Sequence, residues 1–462
     1  MALTESQNPD RPARMTLAGL PAQVRSWLAD RSDRSLAQKF AGGAFLIRVF
    51  SAGLLYLSQI LLARWLGSFE FGIYVYVWTL VLMIGDLADM GLATAAQRFI
   101  PEYTRRKAHD LLRGYLSRSR WITVGSAALV AAVGVLLIQL VKPYIAGYLV
   151  VPLSVALVTL PFYAIMQIHD GIARSYNWIH IALLPPYVLR HLVMLVLVCA
   201  AWLLSFPANA ETAVFAVGIA LMVTAIGQTL LLNRKLRQTV ESGPKAHDTR
   251  VWLSVSLPIL FVEGFYVLLT NVDILILQQF RSPDDVAIYY AAAKTLALIS
   301  FVHFAVSAAV AHRFSEYHTA NDRARLEAIL ADSVRWVFWG SLAACLVVLA
   351  AGRMLLWLFG AKFVDGHHLM MILAIGLLAR AALGPVERLL SMLGEQRICA
   401  MVYAIAFVLN IVLCVVLIPW IGVEGAAVAT TTALVVESAL LFLVTRRRLG
   451  FHAFILGRPK QP

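Results

Sequence analysis

Apolar stretches long enough to cross a lipid bilayer recur along this chain and leave room for little else. A crossing helix needs about 20 largely apolar residues. On that ruler twelve segments stand out, roughly 42–64, 71–96, 121–141, 147–168, 179–204, 213–232, 252–279, 287–311, 333–352, 368–386, 398–418 and 423–445. In hydrocarbon each backbone polar group must find its partner inside the segment, so such stretches read as helices. The expected fold class is therefore an all-α polytopic membrane protein of about twelve transmembrane helices. Hydrophobic residues make up 60% of the chain and charged residues 14%, whereas a soluble domain is about a quarter charged.

The basic residues orient these spans. With a cytoplasmic N-terminus, the inside segments hold 29 lysines and arginines, and the outside loops hold only Lys142, Arg281, Arg353 and Lys362. The positive-inside rule then places both termini in the cytoplasm, and no secretory leader is expected in the polar, basic first 40 residues. Within them, 21–40 reads as a helix lying on the membrane surface or as disordered chain. The net charge of +13 follows from this loop asymmetry. Nucleic-acid binding would need a basic face on a folded domain, and stretches between spans of about 20 residues provide none. They also leave no room for a catalytic domain, so no catalytic residue is assigned and the chain is not expected to be an enzyme.

One passage occurs twice, 215 residues apart. Ile73-Tyr74, Arg98-Phe99 and Glu102-Tyr103 return as Ile288-Tyr289, Arg313-Phe314 and Glu316-Tyr317, with 24 residues from Tyr to Arg in both. Two similar halves in a membrane protein point to a transporter with its substrate between them. Six spans per half is an even number, so two six-helix bundles should be related as a parallel repeat by a pseudo-twofold axis along the membrane normal. The expected organisation is a cytoplasmic basic segment 1–41, an N-terminal bundle 42–232, a cytoplasmic linker 233–251, a C-terminal bundle 252–445 and a cytoplasmic basic tail 446–462. The same offset pairs Arg48 with Glu263 and predicts that they face each other across a central cleft.

Charged side chains inside spans cost a few kcal/mol each on insertion scales and seldom face lipid. They are Arg48, Asp86, Asp89, Arg190, Glu263, Asp273, Lys294, Arg335, Arg380 and Glu437. Arg335 reads as snorkelling from a helix end. Arg48, Arg190 and Arg380, nearer span middles, with Lys294, are the candidates for a substrate cavity. Guanidinium pairs bidentately with phosphate, so this set suits an anionic cargo. Asp86, Asp89, Glu263 and Asp273 are the carboxylates from which an ion-coupling site would be drawn.

Other features have plainer readings. His191, His303 and His169 are proton-relay or hydrogen-bonded packing histidines. The adjacent His367-His368 point to different helix faces, and no metal site or cofactor is expected. Asp284-Asp285 reads as a helix cap. Cys199, Cys345, Cys399 and Cys414 lie in apolar runs with neither disulfide nor metal spacing. Pro161, Pro185, Pro186, Pro258 and Pro385 sit in or beside spans, where they bend helices or simply pack.

Several short motifs in order resemble polysaccharide flippases of the multidrug/oligosaccharidyl-lipid/polysaccharide exporter superfamily. In the first half they are Leu62-Ala63-Arg64-Trp65-Leu66-Gly67, Glu70-Phe71-Gly72-Ile73-Tyr74, Asp89-Met90-Gly91-Leu92 and Arg98-Phe99. In the second they are Asn271-Val272-Asp273, Ile288-Tyr289 with Ala293-Lys294, Asn410, Ile418-Pro419 and Gly422-Val423-Glu424-Gly425-Ala426-Ala427. The resemblance covers residues 40–446. It implies two six-helix bundles that alternate their opening, often coupled to a proton or sodium ion. The implied cargo is a lipid-linked oligosaccharide on an undecaprenyl diphosphate anchor, carried across the bacterial inner membrane for O-antigen, exopolysaccharide or capsule. Membrane lipid, a polymerase and chain-length machinery are the implied partners. Some members have fourteen spans, and this chain has twelve by the present reading.

Three other readings compete. A drug exporter of the same superfamily should have a less cationic cavity. A polysaccharide polymerase or ligase resembles multispan proteins with one large periplasmic loop, which the short outside loops argue against. A non-transporting scaffold has no use for charges inside spans.

Overall fold

A computed structural model describes the backbone of residues 33–455 except positions 321 and 452, and side chains from residue 47 except at 311, 312, 315, 318, 319 and 396. Most of the basic segment 1–41, with the surface helix expected over 21–40, lies outside the described residues, as does the end of the tail. Among the described residues all regular structure is helical. Eleven stretches are long and apolar enough to cross a membrane. The first, Ile47–Arg105, is 59 residues long, far more than the ~30 Å of hydrocarbon requires at ~1.5 Å per residue. It lies in α1 (Asp33–Ala88) and α2 (Leu92–Arg105), and α1 is itself broken at Gly67, with φ 76 and ψ 171. A Cβ disfavours that conformation. Counting the two sides of this break separately gives about twelve candidate crossings among the described residues.

The remaining helices are α3 (His109–Val141), α4 (Gly147–Val158), α5 (Leu160–Ser175), α6 (Ile179–Leu184), α7 (Arg190–Leu203) and α8 (Ala210–Thr239) in the first half. The second half has α9 (Thr249–Leu269), α10 (Val272–Phe280), α11 (Pro283–Ala297), α12 (Ser300–Thr319) and α13 (Arg323–Ala350). It continues with α14 (Gly352–Phe359), α15 (His367–Ala381), α16 (Val386–Met392), α17 (Gln396–Ile421) and α18 (Val423–Leu449).

Several spans expected as single helices are split. The span 252–279 divides between α9 and α10 at Thr270-Asn271, where Asn271 Nδ2 donates back to the Val267 carbonyl. The span 368–386 ends at Ala381, because Gly384 is left-handed and Pro385 follows it. Pro185 and Pro186 open a wide π-type turn over Pro185–Leu189, directly before Arg190. Such turns recur at functional sites. Asp284 and Asp285 fall in the first turn of α11, which Ser282 caps.

Within the first half α5 packs on α2, α3 and α8; within the second α18 packs on α15 and α17, and α9 on α17. Helix α2 also meets α9 of the other half. Where α1 passes α11, the Gly72 position lies so close that a Cβ would stand 1.8 Å from the Pro283 carbonyl oxygen. Phe71 packs there against Tyr290, Phe359 and Phe363. Arg64 donates to the Leu358 and Trp357 carbonyls at 2.7 and 2.6 Å, and Ser68 bonds Asp284. Large apolar side chains such as Trp121, Leu140, Leu203, Val347 and Trp420 are exposed, as on a lipid-facing surface, while Asp89, Asp273 and Glu437 are buried.

Candidate functional site

Two cavities lie between the halves, and a third adjoins them within the second half. The first, of about 500 Å³, takes Arg48 and Trp78 from α1, Tyr187 and Arg190 from the π-turn region, and Tyr290 and Lys294 from α11. Each cation lies over a ring: the Arg48 guanidinium 4.2 Å from the Tyr187 centroid, Arg190 5.5 Å from Trp78, and Lys294 5.1 Å from Tyr290. None has an ion-pair partner within 4 Å among the described residues. Aromatic faces hold these charges in place, and Arg190 Nη2 also lies 3.4 Å from His191 Nε2; guanidinium and ammonium groups so placed suit an anion. Asp86 is on the same wall, where Tyr163 Oη and Gln167 Nε2 each donate to its Oδ1 at 2.8 Å.

A second cavity of about 530 Å³ shares Asp86 and Gln167 with the first. Asp89, Asp170 and Glu263 line it, with Arg174 and Arg388. Glu263 accepts from Thr94 Oγ1 across the halves at 2.9 Å. Asp170 is tied to Arg174 at 2.7 Å. Asp89 accepts from Gly91 N at 2.8 Å and Ala93 N at 3.3 Å, which caps the start of α2. The third cavity, of about 390 Å³, shares Tyr266, Glu387 and Arg388 with the second, and Ser300 and Phe304 with the first.

The four cationic candidates thus separate. Arg48, Arg190 and Lys294 converge on one cavity. Arg380 lines the third cavity, where Nη2 meets Glu387 Oε2 at 2.5 Å and Nε lies 3.9 Å from fully buried Glu437. Burial pushes the Glu387 carboxyl up, but the Arg380 guanidinium and His303 outweigh it and hold it well below the ordinary range. Asp273 is buried in α10 away from all three cavities, and accepts from Tyr289 Oη at 2.5 Å and Thr430 Oγ1 at 2.9 Å. Arg48 and Glu263, paired by the repeat offset, line different cavities. Arg335 is half-exposed beside Asp332. His303 stands 3.5 Å from Glu387, His191 touches Arg190, and His169 is fully buried. Among the described residues no group of three or more His, Cys, Asp or Glu side chains is arranged to hold a metal ion.

Several contributors escaped the sequence reading. Gln167 and Tyr163 orient Asp86, Tyr187 and Trp78 carry the guanidiniums, and Glu387 neutralises Arg380. Gln167 had a legible signal, being an amide inside an apolar span. Tyr187 had a weaker one, three residues before Arg190 and directly after two prolines.

Among the described residues, helices alone, about twelve of them long enough to cross a membrane, and a charge-lined cleft between the halves define a transporter-type architecture. The family model for polysaccharide biosynthesis proteins matches residues 42–318, and this chain belongs to that family. A second model, MatE, matches residues 258–416. A relative described as a probable low-salt glycan biosynthesis flippase, Agl15 of Haloferax volcanii, is 23% identical over 399 residues, covering 86% of this chain and 80% of that protein. Among solved structures, an inward-facing multidrug resistance MATE family transporter of the MOP superfamily superposes with TM-score 0.74 at 15% identity, over 88% of this chain and 98% of that one. The lipid II flippase MurJ in an inward closed conformation gives TM-score 0.68 at 15% identity, over 87% of each chain. The fold is that of the MOP superfamily.

Proposed function

We propose that this chain translocates a lipid-linked oligosaccharide across a membrane by alternating access. The specific cargo in this proposal is a repeat unit on undecaprenyl diphosphate, moved across a bacterial inner membrane with both termini of the protein in the cytoplasm. The observation that carries it is the convergence of Arg48, Arg190 and Lys294, each without an ion-pair partner among the described residues, in one cavity between the halves. Unaided, a polar glycan entering hydrocarbon forfeits several kcal/mol per unpaired polar group. A polar cleft removes most of that cost, and guanidiniums without an ion-pair partner among the described residues suit a diphosphate. The glycan flippase among its relatives supports the same cargo class. In this reading 42–232 and 252–445 are the moving bundles. Asp86, Asp89 and Glu263 are the carboxylates available for proton or sodium coupling, since they line the cavities between the halves whereas Asp273 does not.

A second reading, a drug exporter, is favoured by the acid-lined second cavity and the MatE match. One experiment separates the two. In cells lacking the protein, the lipid-linked oligosaccharide should accumulate in the cytoplasmic leaflet. Arg48→Ala or Arg190→Ala should restore its flipping about tenfold less well than the unaltered chain, the loss of one charge-assisted hydrogen bond. Cargo reaching the outer leaflet but staying unpolymerised would move the polymerase or ligase reading ahead. Efflux of organic cations with normal leaflet distribution would establish the exporter.

A further inference from the structure

The cleft is divided by charge. In the first cavity Arg48, Arg190 and Lys294 face a single carboxylate, Asp86. Beyond the shared wall of Asp86 and Gln167, the second cavity presents five carboxylates, Asp86, Asp89, Asp170, Glu263 and Glu387, against Arg174 and Arg388. Two of the five are matched, Asp170 by Arg174 and Glu387 by Arg380. The donors to Asp86, Asp89 and Glu263 are all neutral: a phenol, an amide, backbone N–H groups and a threonine hydroxyl. The rest of that lining includes neutral hydrogen-bonding groups, Thr94, Gln97, Tyr266 and Tyr403. A cargo with its phosphates at Arg48, Arg190 and Lys294 therefore places its next groups against a wall rich in carboxyl groups.

We propose that this division selects the glycan: the sugars carried are neutral or bear free amino groups, and acidic sugars are excluded. The proposal rests on the flippase reading above and names the cargo of the same cleft. Hydroxyls and ammonium groups donate to Asp86 and Glu263, and a hydrogen bond to a charged group is about twice as strong as a neutral one. A uronic carboxylate at the same place meets like charge, which opposes its entry.

The test uses the full-length protein in liposomes loaded with three lipid-linked trisaccharides on one diphosphate anchor. One glycan is neutral, one contains a free amino sugar, and one contains a uronic acid. The neutral and amino cargoes should flip, and the uronic cargo at least about tenfold more slowly. Glu263→Gln, alone and with Asp86→Asn, should raise the ratio of uronic to neutral flipping, a readout independent of how much variant protein folds. A uronic cargo flipped as fast as the neutral one overturns the inference and leaves the flippase reading standing, as does an unchanged ratio in both variants. Failure of all three cargoes to flip overturns both.

Discussion

Arg48 and Arg380 are the same side chain at similar depth in their spans, yet their surroundings give them different work. Arg48 rests on Tyr187 at the wall of the first cavity, whereas Arg380 is held by Glu387 and lies near Glu437. Removing one member of a buried ion pair strands the other and costs about 3–5 kcal/mol. Arg380→Ala should therefore lower the melting temperature of the purified protein markedly. Glu437→Gln should lower it far less, because neither Glu437 oxygen accepts a hydrogen bond among the described residues. Equal shifts for the two variants would show that Arg380 is not the keystone of this cluster. The pair also has a defined response to pH. The Glu387 carboxyl is depressed in the folded chain, so its stabilisation is complete above the ordinary carboxylate range and is lost only as pH falls through the depressed value. From about pH 5 to about pH 8 the pair stays intact. Glu387→Gln should then change the level of transport without changing the shape of its pH profile over that range; a flattened profile would make Glu387 the titrating group.

At the scale of elements, the helices were legible because apolar runs of bilayer length admit few alternatives. Their interruptions were less so. Thr270-Asn271 and Gly384-Pro385 carried recognisable breaking chemistry, but inside otherwise apolar runs where length alone argued for one continuous span. The π-type turn at Pro185–Leu189 was visible only as a pair of prolines, which bends or merely packs with equal ease until neighbouring helices are in place. It matters because Tyr187 and Arg190 both reach the cavity from it. The break at Gly67 has the most definite consequence. At φ 76 and ψ 171 a side chain is strained even though nothing lies within 4 Å of the added Cβ. Gly67→Ala should destabilise the protein by about 1–3 kcal/mol, read as a lower midpoint of thermal unfolding in detergent. An unchanged midpoint would show that the turn relaxes at no cost.

For the whole molecule, the repeated passage signalled two halves but not which side chains meet between them. Equivalence under a repeat is a statement about similarity, and contact depends on how distant helices pack; hence Arg48 and Glu263 line separate cavities. The seam between the halves at 56–72 was not legible at all, since its partners come from 283–295 and 357–363. There Ser68 bonds Asp284, which Lys362 also approaches at 3.5 Å, Arg64 holds the Trp357 and Leu358 carbonyls, and Tyr56 Oη meets Thr295 Oγ1 at 3.0 Å. Alternating access requires contacts of this kind to break once per cycle, and each state must be reachable at modest cost. Hydrogen bonds meet that requirement, each contributing about 0.5–1.5 kcal/mol net, whereas a covalent tie does not. Cysteines placed by Ser68→Cys and Asp284→Cys and joined by a short thiol-reactive bridge should lower glycan-lipid flipping by at least about tenfold, consistent with trapping one state. A reducible bridge should return activity on reduction, which separates trapping from damage. Undiminished flipping with the bridge in place would mean that this seam never opens and that the cargo passes by another route between the halves.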